Sequence, residues 1–238
     1  MLLHAATIFL SAFLLFLVQP LIAKQILPWF GGAASVWAIC LVFFQSVLLL
    51  GYTYSDLTTR LLAPRKQAWL HIALLAASLL LLPIIPGAQW RPGEASVEPT
   101  LQILGLLAFT IGVPYFLLST TSPLVQAWFW QSFRHAVPYR LFALSNFASL
   151  LALLSYPVLV EPFLPLAVQS WTWSLAYAGF VLLCGVTAWK STRGEAAAPR
   201  RRRTRAPRGK RRPTPAPGCC GSHSRRPGRA CCFPSPTT

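Results

Sequence analysis

Five polar side chains stand alone inside or at the ends of long apolar runs, and their chemistry needs an explanation. They are three amides, one ammonium and one carboxylate: Gln19, Gln45, Asn146, Lys24 and Glu161. A polar group surrounded by hydrocarbon is costly unless another polar group or a ligand pairs with it. Two interpretations stay open for the amides: hydrogen bonds between helices, or the lining of a binding cavity.

The charged residues near the run ends are expected to form pairs. Lys24 and Glu161 fall on the same side of the predicted bundle, so we expect an ion pair that closes its outer side. The alternative is an unpaired Glu161 that meets a cationic substrate. Asp56 is expected to be either a solvated residue at the helix end or the partner of Arg60, which has the i,i+4 spacing of a helical ion pair. His71, one turn into an apolar run, is expected to extend to the inner interface.

The elements that position these residues are six apolar runs of about 20 residues, the length that a helix needs to cross a bilayer. They cover roughly residues 4–23, 35–54, 68–87, 101–120, 141–161 and 171–189. The sequence therefore predicts an all-α integral membrane protein with six transmembrane helices. Kinks are expected at four internal prolines: Pro20, Pro83, Pro114 and Pro157. Residues 122–140 predict either an amphipathic helix on the inner leaflet or a packed floor of the bundle.

Charge and composition divide the chain at about residue 199. The whole chain has 55% apolar residues and 21 basic against 5 acidic residues, whereas its last 40 residues hold 12 of the basic and none of the acidic residues. A water-soluble domain and nucleic-acid binding by the body are therefore excluded. Most basic residues of the body fall in connectors on one side, against only Lys24 and Arg91 on the other. This asymmetry places both termini in the cytoplasm.

Weak self-similarity relates the two halves of the body, about residues 4–90 and 101–190. Three residues recur at offsets of 103, 101 and 102: Pro20 as Pro123, Gln45 as Asn146 and Tyr54 as Tyr156. Three spans separate the copies, so the second copy enters from the opposite face. The pattern predicts a 3+3 inverted repeat, similar to half of a major-facilitator transporter. The matches are short and leucine-rich, so coincidence stays an alternative.

Three strings carry a resemblance to a family: FLLFLVQPLIAKQILPWFGGAASVW, CLVFFQSVLLLGYTYSDL and PYRLFALSNFASLLALLSYPVLVEP. They resemble the membrane half of bacterial fused major-facilitator/spermidine-synthase-like proteins, over about residues 5–185. The resemblance implies a multi-pass protein of the bacterial inner membrane. In that family a Rossmann-like aminopropyltransferase domain can follow, which binds a decarboxylated S-adenosylmethionine and a polyamine.

We expect no such domain within these residues, because neither a Gly-rich strand-to-helix turn nor an acidic cluster occurs after Lys190. We therefore expect no catalytic residue, metal or cofactor. The resemblance favours binding or transport of a small polyamine-like cation by Gln19, Gln45 and Asn146, with Glu161 and Lys24 at the outer gate. The alternative function is a non-transporting anchor or regulator for a spermidine-synthase-like domain that is missing from this chain.

Residues 191–238 are predicted to be a disordered tail rich in Arg, Pro, Gly and Cys, with little apolar surface to bury. Its basic run, Arg200–Arg212, is expected to contact anionic lipids. Specific nucleic-acid binding is not expected, because aromatic residues are not interleaved with the arginines. Of these explanations the composition favours an out-of-frame translation of a GC-rich gene, with a lipid-binding tail as the alternative. The adjacent cysteine pairs do not have the spacing of zinc ligands.

Overall fold

The computed structural model describes residues 2–87, 90, 99–132 and 139–197, all within the unit Met1–Pro199. In these ranges every regular element is a helix, as the sequence predicts. The predicted tail after residue 197, its lipid-binding run Arg200–Arg212 and the loop residue Arg91 lie outside the described residues.

The helices follow the apolar runs and extend beyond most of them. They are α1 (Leu2–Phe30), α2 (Ala34–Leu61), α3 (Pro64–Ser78), α4 (Pro99–Leu107), α5 (Val113–Ser132), α6 (Tyr139–Ser155), α7 (Glu161–Phe163) and α8 (Leu166–Ala197). A 3₁₀ turn, Leu79–Leu81, follows α3. The π-helical turns Ala108–Gly112 and Tyr156–Val160 join α4 to α5 and α6 to α7.

Five of the resulting segments are long and apolar enough to cross a membrane: Leu2–Phe30, Ala34–Leu61, Pro99–Trp130, Tyr139–Phe163 and Leu166–Ser191. The described part is thus that of an all-helical membrane protein. The third predicted run, 68–87, does not form one continuous helix, because α3 ends at Ser78 and the 3₁₀ turn ends at Leu81, before Pro83. The helix α8 runs past residue 190, where the tail was predicted to begin.

The prolines within the long helical segments differ in how they affect the local backbone. The helix α1 continues through Pro20, and α5 continues through Pro123. Pro157 lies inside one π-helical turn, and Pro114 is the second residue of α5, two residues after the end of the other turn. A π-helical turn changes the hydrogen-bond register, which accommodates the N–H that proline lacks.

The segment 122–140 belongs partly to the core. Up to Ser132 it continues α5, and its side chains Leu124, Val125, Trp128 and Phe129 are buried. They pack with Ile8, Ala68, Leu141 and Ala188 in one apolar cluster. Of the two predictions for this segment, the structure therefore supports the packed floor, and residues 133–138 lie outside the described part.

The central pair of helices is α1 and α5. The helix α1 packs against α2, α5, α6 and α8, while α5 packs against α1, α2, α3 and α8. The helices α3 and α8 also pack against each other. Exchanging α1 with α5, α2 with α6 and α3 with α8 relates α1–α6 to α2–α5 and α1–α8 to α3–α5, but the contacts α1–α2, α2–α3 and α5–α8 have no equally extensive counterpart.

Candidate functional site

The second half of α1 carries three polar side chains that contact three different elements. The Gln19 amide Nε2 donates to the hydroxyl of Tyr115 on α5 at 3.1 Å. Lys24 Nζ donates to Glu161 Oε1 on α7 at 2.5 Å. The Gln25 amide donates to the hydroxyl of Ser170 on α8. We call residues 19–25 the α1 polar segment.

Helix geometry explains why these side chains reach separate partners. Successive residues of an α-helix turn by about 100°. Gln19, Lys24 and Gln25 therefore leave α1 in directions about 100–140° apart, toward three neighbouring helices. All three partners follow residue 100 in the chain, so the segment joins the first predicted repeat to the second.

The Lys24–Glu161 ion pair, expected from the sequence, is present. The two side chains are 38% and 42% exposed, so water or a solute can reach the pair. Glu161 is thus neutralised by an ammonium group, and the alternative of an unpaired carboxylate does not describe this structure. The second expected pair is also confirmed, because Arg60 Nε lies 2.9 Å from Asp56 Oδ1.

The amide of Gln19 belongs to the bundle core. Its partner Tyr115 is 1% exposed, and the ring of Tyr115 lies 5.0 Å from that of Phe44 on α2. Gln19 therefore makes an interhelical hydrogen bond at the point where α1, α2 and α5 meet.

The other two predicted amides lie elsewhere. Gln45 is exposed on α2, which packs against α4 and α5, and Asn146 is exposed on α6, which packs along α1. The structure brings Gln19, Lys24 and Glu161 to one part of the bundle. It does not gather Gln45 and Asn146 into the same site, because their side chains point away from the helices that carry Gln19 and Tyr115.

A second group of polar residues, which sequence reasoning missed, joins α2, α3 and α5. Gln67 Oε1 accepts a hydrogen bond from the Trp128 indole at 3.0 Å, and its Nε2 lies 3.2 Å from Thr58 Oγ1. His71 Nε2 lies 3.1 Å from Thr121 Oγ1. All five side chains are buried. We call this group the Gln67 cluster.

His71 does not extend to the interface as expected, because it is 0% exposed. Gln67 and His71 are four residues apart and share one face of α3, which packs against α5. The spacing of four residues is the sequence feature that predicts a shared helix face for Gln67 and His71. The five residues of the Gln67 cluster include no carboxylate. Their hydrogen bonds join α2, α3 and α5, so the cluster stabilises helix packing.

Metal ligands do not cluster in the part of the chain that the structure describes, where no group of three or more His, Cys, Asp or Glu residues occurs. Comparisons with family models, with curated proteins and with solved structures found no match to this chain.

Proposed function

We propose that this chain is a bacterial inner-membrane module that binds, and in the membrane moves, a small polyamine-like cation. In this proposal six crossings form two inverted three-helix repeats, as in the membrane half of fused major-facilitator/spermidine-synthase-like proteins, and both termini are cytoplasmic. The observation that supports it is the α1 polar segment, where one helix of the first half bonds three elements of the second half. In transporters built from repeats, one repeat moves as a rigid body against the other, and contacts between the repeats change during that motion.

The Lys24–Glu161 pair is the proposed entry point. An ammonium group of the ligand is chemically equivalent to that of Lys24 and competes with it for Glu161. Ion pairs that are this exposed contribute only about 0.2–1 kcal/mol, so exchange of one ammonium for another is inexpensive. Release of Lys24 then uncouples α1 from α7 at this end of the bundle.

The next polar group along α1 is the amide of Gln19. It lies five residues before Lys24, about 7.5 Å along the helix axis. Gln19 and Tyr115 offer a neutral amide and a hydroxyl, which suit the second ammonium of a diamine. The proposed path thus leads from Glu161 at the end of the bundle to Gln19 in its core.

Two substitutions with opposite expected effects test this proposal. Glu161→Gln removes the carboxylate, and we expect binding of putrescine and spermidine to weaken at least about tenfold, since a charge-assisted contact is lost. Lys24→Met removes the competing ammonium, so binding should strengthen, by up to about fivefold for a pair worth about 1 kcal/mol. Calorimetry on the purified protein and uptake into vesicles measure both effects.

The matched control is Asp56→Asn, which breaks the other described ion pair, within α2. It should leave polyamine binding unchanged. Equal binding by wild type, Glu161→Gln and Lys24→Met would contradict the proposed site. Absence of binding by all of them would contradict the function.

A second candidate function is a non-transporting anchor or regulator of an aminopropyltransferase-like domain. It is favoured by α8, whose apolar span ends at Ser191 while the helix continues to Ala197. This end is joined to α1 by the His4–Ser191 and Thr7–Thr187 contacts, at 3.1 and 2.9 Å. Such a helix can hold a following domain in a fixed orientation. Co-expression with a synthase-like domain, with no polyamine binding by the membrane unit, would support this candidate over transport.

A further inference from the structure

An exposed stripe runs along α6 with the spacing of a helix–helix seam. Its members are separated by four, three, four and three residues, and all are exposed: Tyr139, Ala143, Asn146, Leu150 and Leu153. We call these five residues the α6 stripe. Apolar residues that alternate at three and four along a helix form the contact line between two helices that supercoil around each other.

Two further observations indicate that this stripe is an incomplete surface. Only 17% of the most apolar part of the α6 segment is buried, against 28–50% in the other four described spans. The stripe carries one amide, that of Asn146, on a face that would otherwise meet lipid. An amide in hydrocarbon lacks hydrogen-bond partners and is stabilised by another polar side chain across a helix interface.

We propose that a second copy of this chain covers the stripe, with the two α6 helices packed in parallel about a two-fold axis perpendicular to the membrane. Such an axis places the same residue of both copies at the same depth, so Asn146 meets the partner's Asn146. A carboxamide carries both donors and an acceptor and is therefore complementary to itself. The small side chain of Ala143, one turn away, allows the two helices to approach closely.

The α6 helix is a better candidate than α2, which carries a similar amide. Gln45 is also exposed and lies on a stripe of the same spacing with Val42, Leu49 and Tyr52. That stripe ends at Asp56, which forms the exposed ion pair with Arg60. The α6 stripe has no charged member, and a larger part of its helix is uncovered. Pairing through α2 is therefore the competing outcome of the test.

Dilution of the labelled full chain in lipid vesicles, followed by energy transfer between copies, measures association. Asn146→Leu should weaken it about three- to twentyfold, which corresponds to an interhelical amide contact of roughly 0.6–1.7 kcal/mol. Gln45→Leu is the matched control, an equally exposed amide replaced in the same way, and should have no effect. Monomers at all lipid dilutions, or weakening by Gln45→Leu and not by Asn146→Leu, would overturn the proposal.

Cross-linking tests the geometry independently of affinity. In a variant without the six native cysteines, Ala143→Cys and Leu150→Cys should each cross-link between differently tagged copies in membranes. The control is Leu151→Cys. Leu151 is 40% exposed, but its side chain points about 100° away from that of Leu150 around the helix axis, so Leu151→Cys should cross-link far less. Equal yields at positions 143, 150 and 151, or none at 143 and 150, would contradict packing along the α6 stripe.

Discussion

Gln67 connects three helices although it lies only three residues after the start of α3. It accepts from the Trp128 indole and donates to Thr58 and Thr59. Replacement by Leu leaves the buried indole N–H without its acceptor, and an unsatisfied buried donor costs about 1–3 kcal/mol. We expect Gln67→Leu to lower the free energy of unfolding by this amount, measured by denaturant unfolding in detergent.

The control for that experiment is Gln126→Leu, the same replacement on α5. Gln126 is half-buried, and its amide bonds Ser122 within the same helix. Its loss should cost less than about 0.5 kcal/mol. Equal destabilisation by the two variants would mean that the Gln67 cluster does not hold α2, α3 and α5 together.

At the scale of residues, charge and spacing predicted pairs better than they predicted burial. Lys24–Glu161 and Asp56–Arg60 follow from opposite charges at compatible positions, and both pairs form. The i,i+4 spacing of Gln67 and His71 places both on one face of α3, but the sequence does not indicate that this face meets α5, so the burial of His71 was not predicted. For the same reason the sequence did not show that Gln45 and Asn146 face outward.

At the scale of elements, the contact between α2 and α5 depends on one glycine. A Cβ added at Gly51 would lie 1.8 Å from Ser119 Oγ and 2.9 Å from its Cβ. Gly51→Ala forces Ser119 to change rotamer and the helices to separate, and overpacking of this kind costs about 1–3 kcal/mol. Thermal unfolding in detergent should show the loss, and Ser119→Ala in the same chain should recover part of it.

Gly179 on α8 provides the comparison, because nothing lies within 4 Å of a Cβ added there. Gly179→Ala should be neutral or stabilise the protein by up to about 1 kcal/mol, since alanine is the better helix former. If Gly51→Ala behaves like Gly179→Ala, the close packing of α2 on α5 is not a feature of the folded protein.

The sequence predicted which apolar runs form long helices, but it did not predict the residues at which those helices end. The first, second, fourth, fifth and sixth apolar runs all became long helices, because apolar length alone requires an internally hydrogen-bonded backbone in lipid. The sequence did not predict whether a given proline would interrupt its helix. The chain passes through Pro20 and Pro123 within helices, whereas the third run stops before Pro83. Whether neighbouring groups compensate the missing N–H depends on tertiary packing.

At the scale of the whole molecule, α8 packs in the described part against helices of both predicted halves, α1 and α3 from the first and α5 from the second. The ends of α1 and α8 meet through Thr7 and Thr187, and α3 meets α8 through Ser78 and Tyr177, whose hydroxyls are 2.7 Å apart. The α1–α6 and α1–α8 contacts have counterparts in α2–α5 and α3–α5, as the proposed 3+3 arrangement requires, whereas α1–α2 and α5–α8 have no equally extensive counterpart.

In the proposed arrangement with six crossings, α3 and the 3₁₀ turn that follows it form the third crossing. The 15 residues of α3 rise about 22 Å, and the three residues of the 3₁₀ turn add about 6 Å. The sum approaches the roughly 30 Å of hydrocarbon that a span must cross.

An even number of membrane crossings places both termini on one side, and an odd number places them on opposite sides. Reporters fused before Leu2 and after Ala197 should therefore both be active only in the cytoplasm, the side that retains basic loops. A reporter inserted at Gly32, between α1 and α2, should be external. If the two terminal reporters lie on opposite sides while the Gly32 reporter stays external, α3 is a re-entrant segment and the protein has five spans. The inverted repeat would then fail, because its second half would enter from the same face as the first.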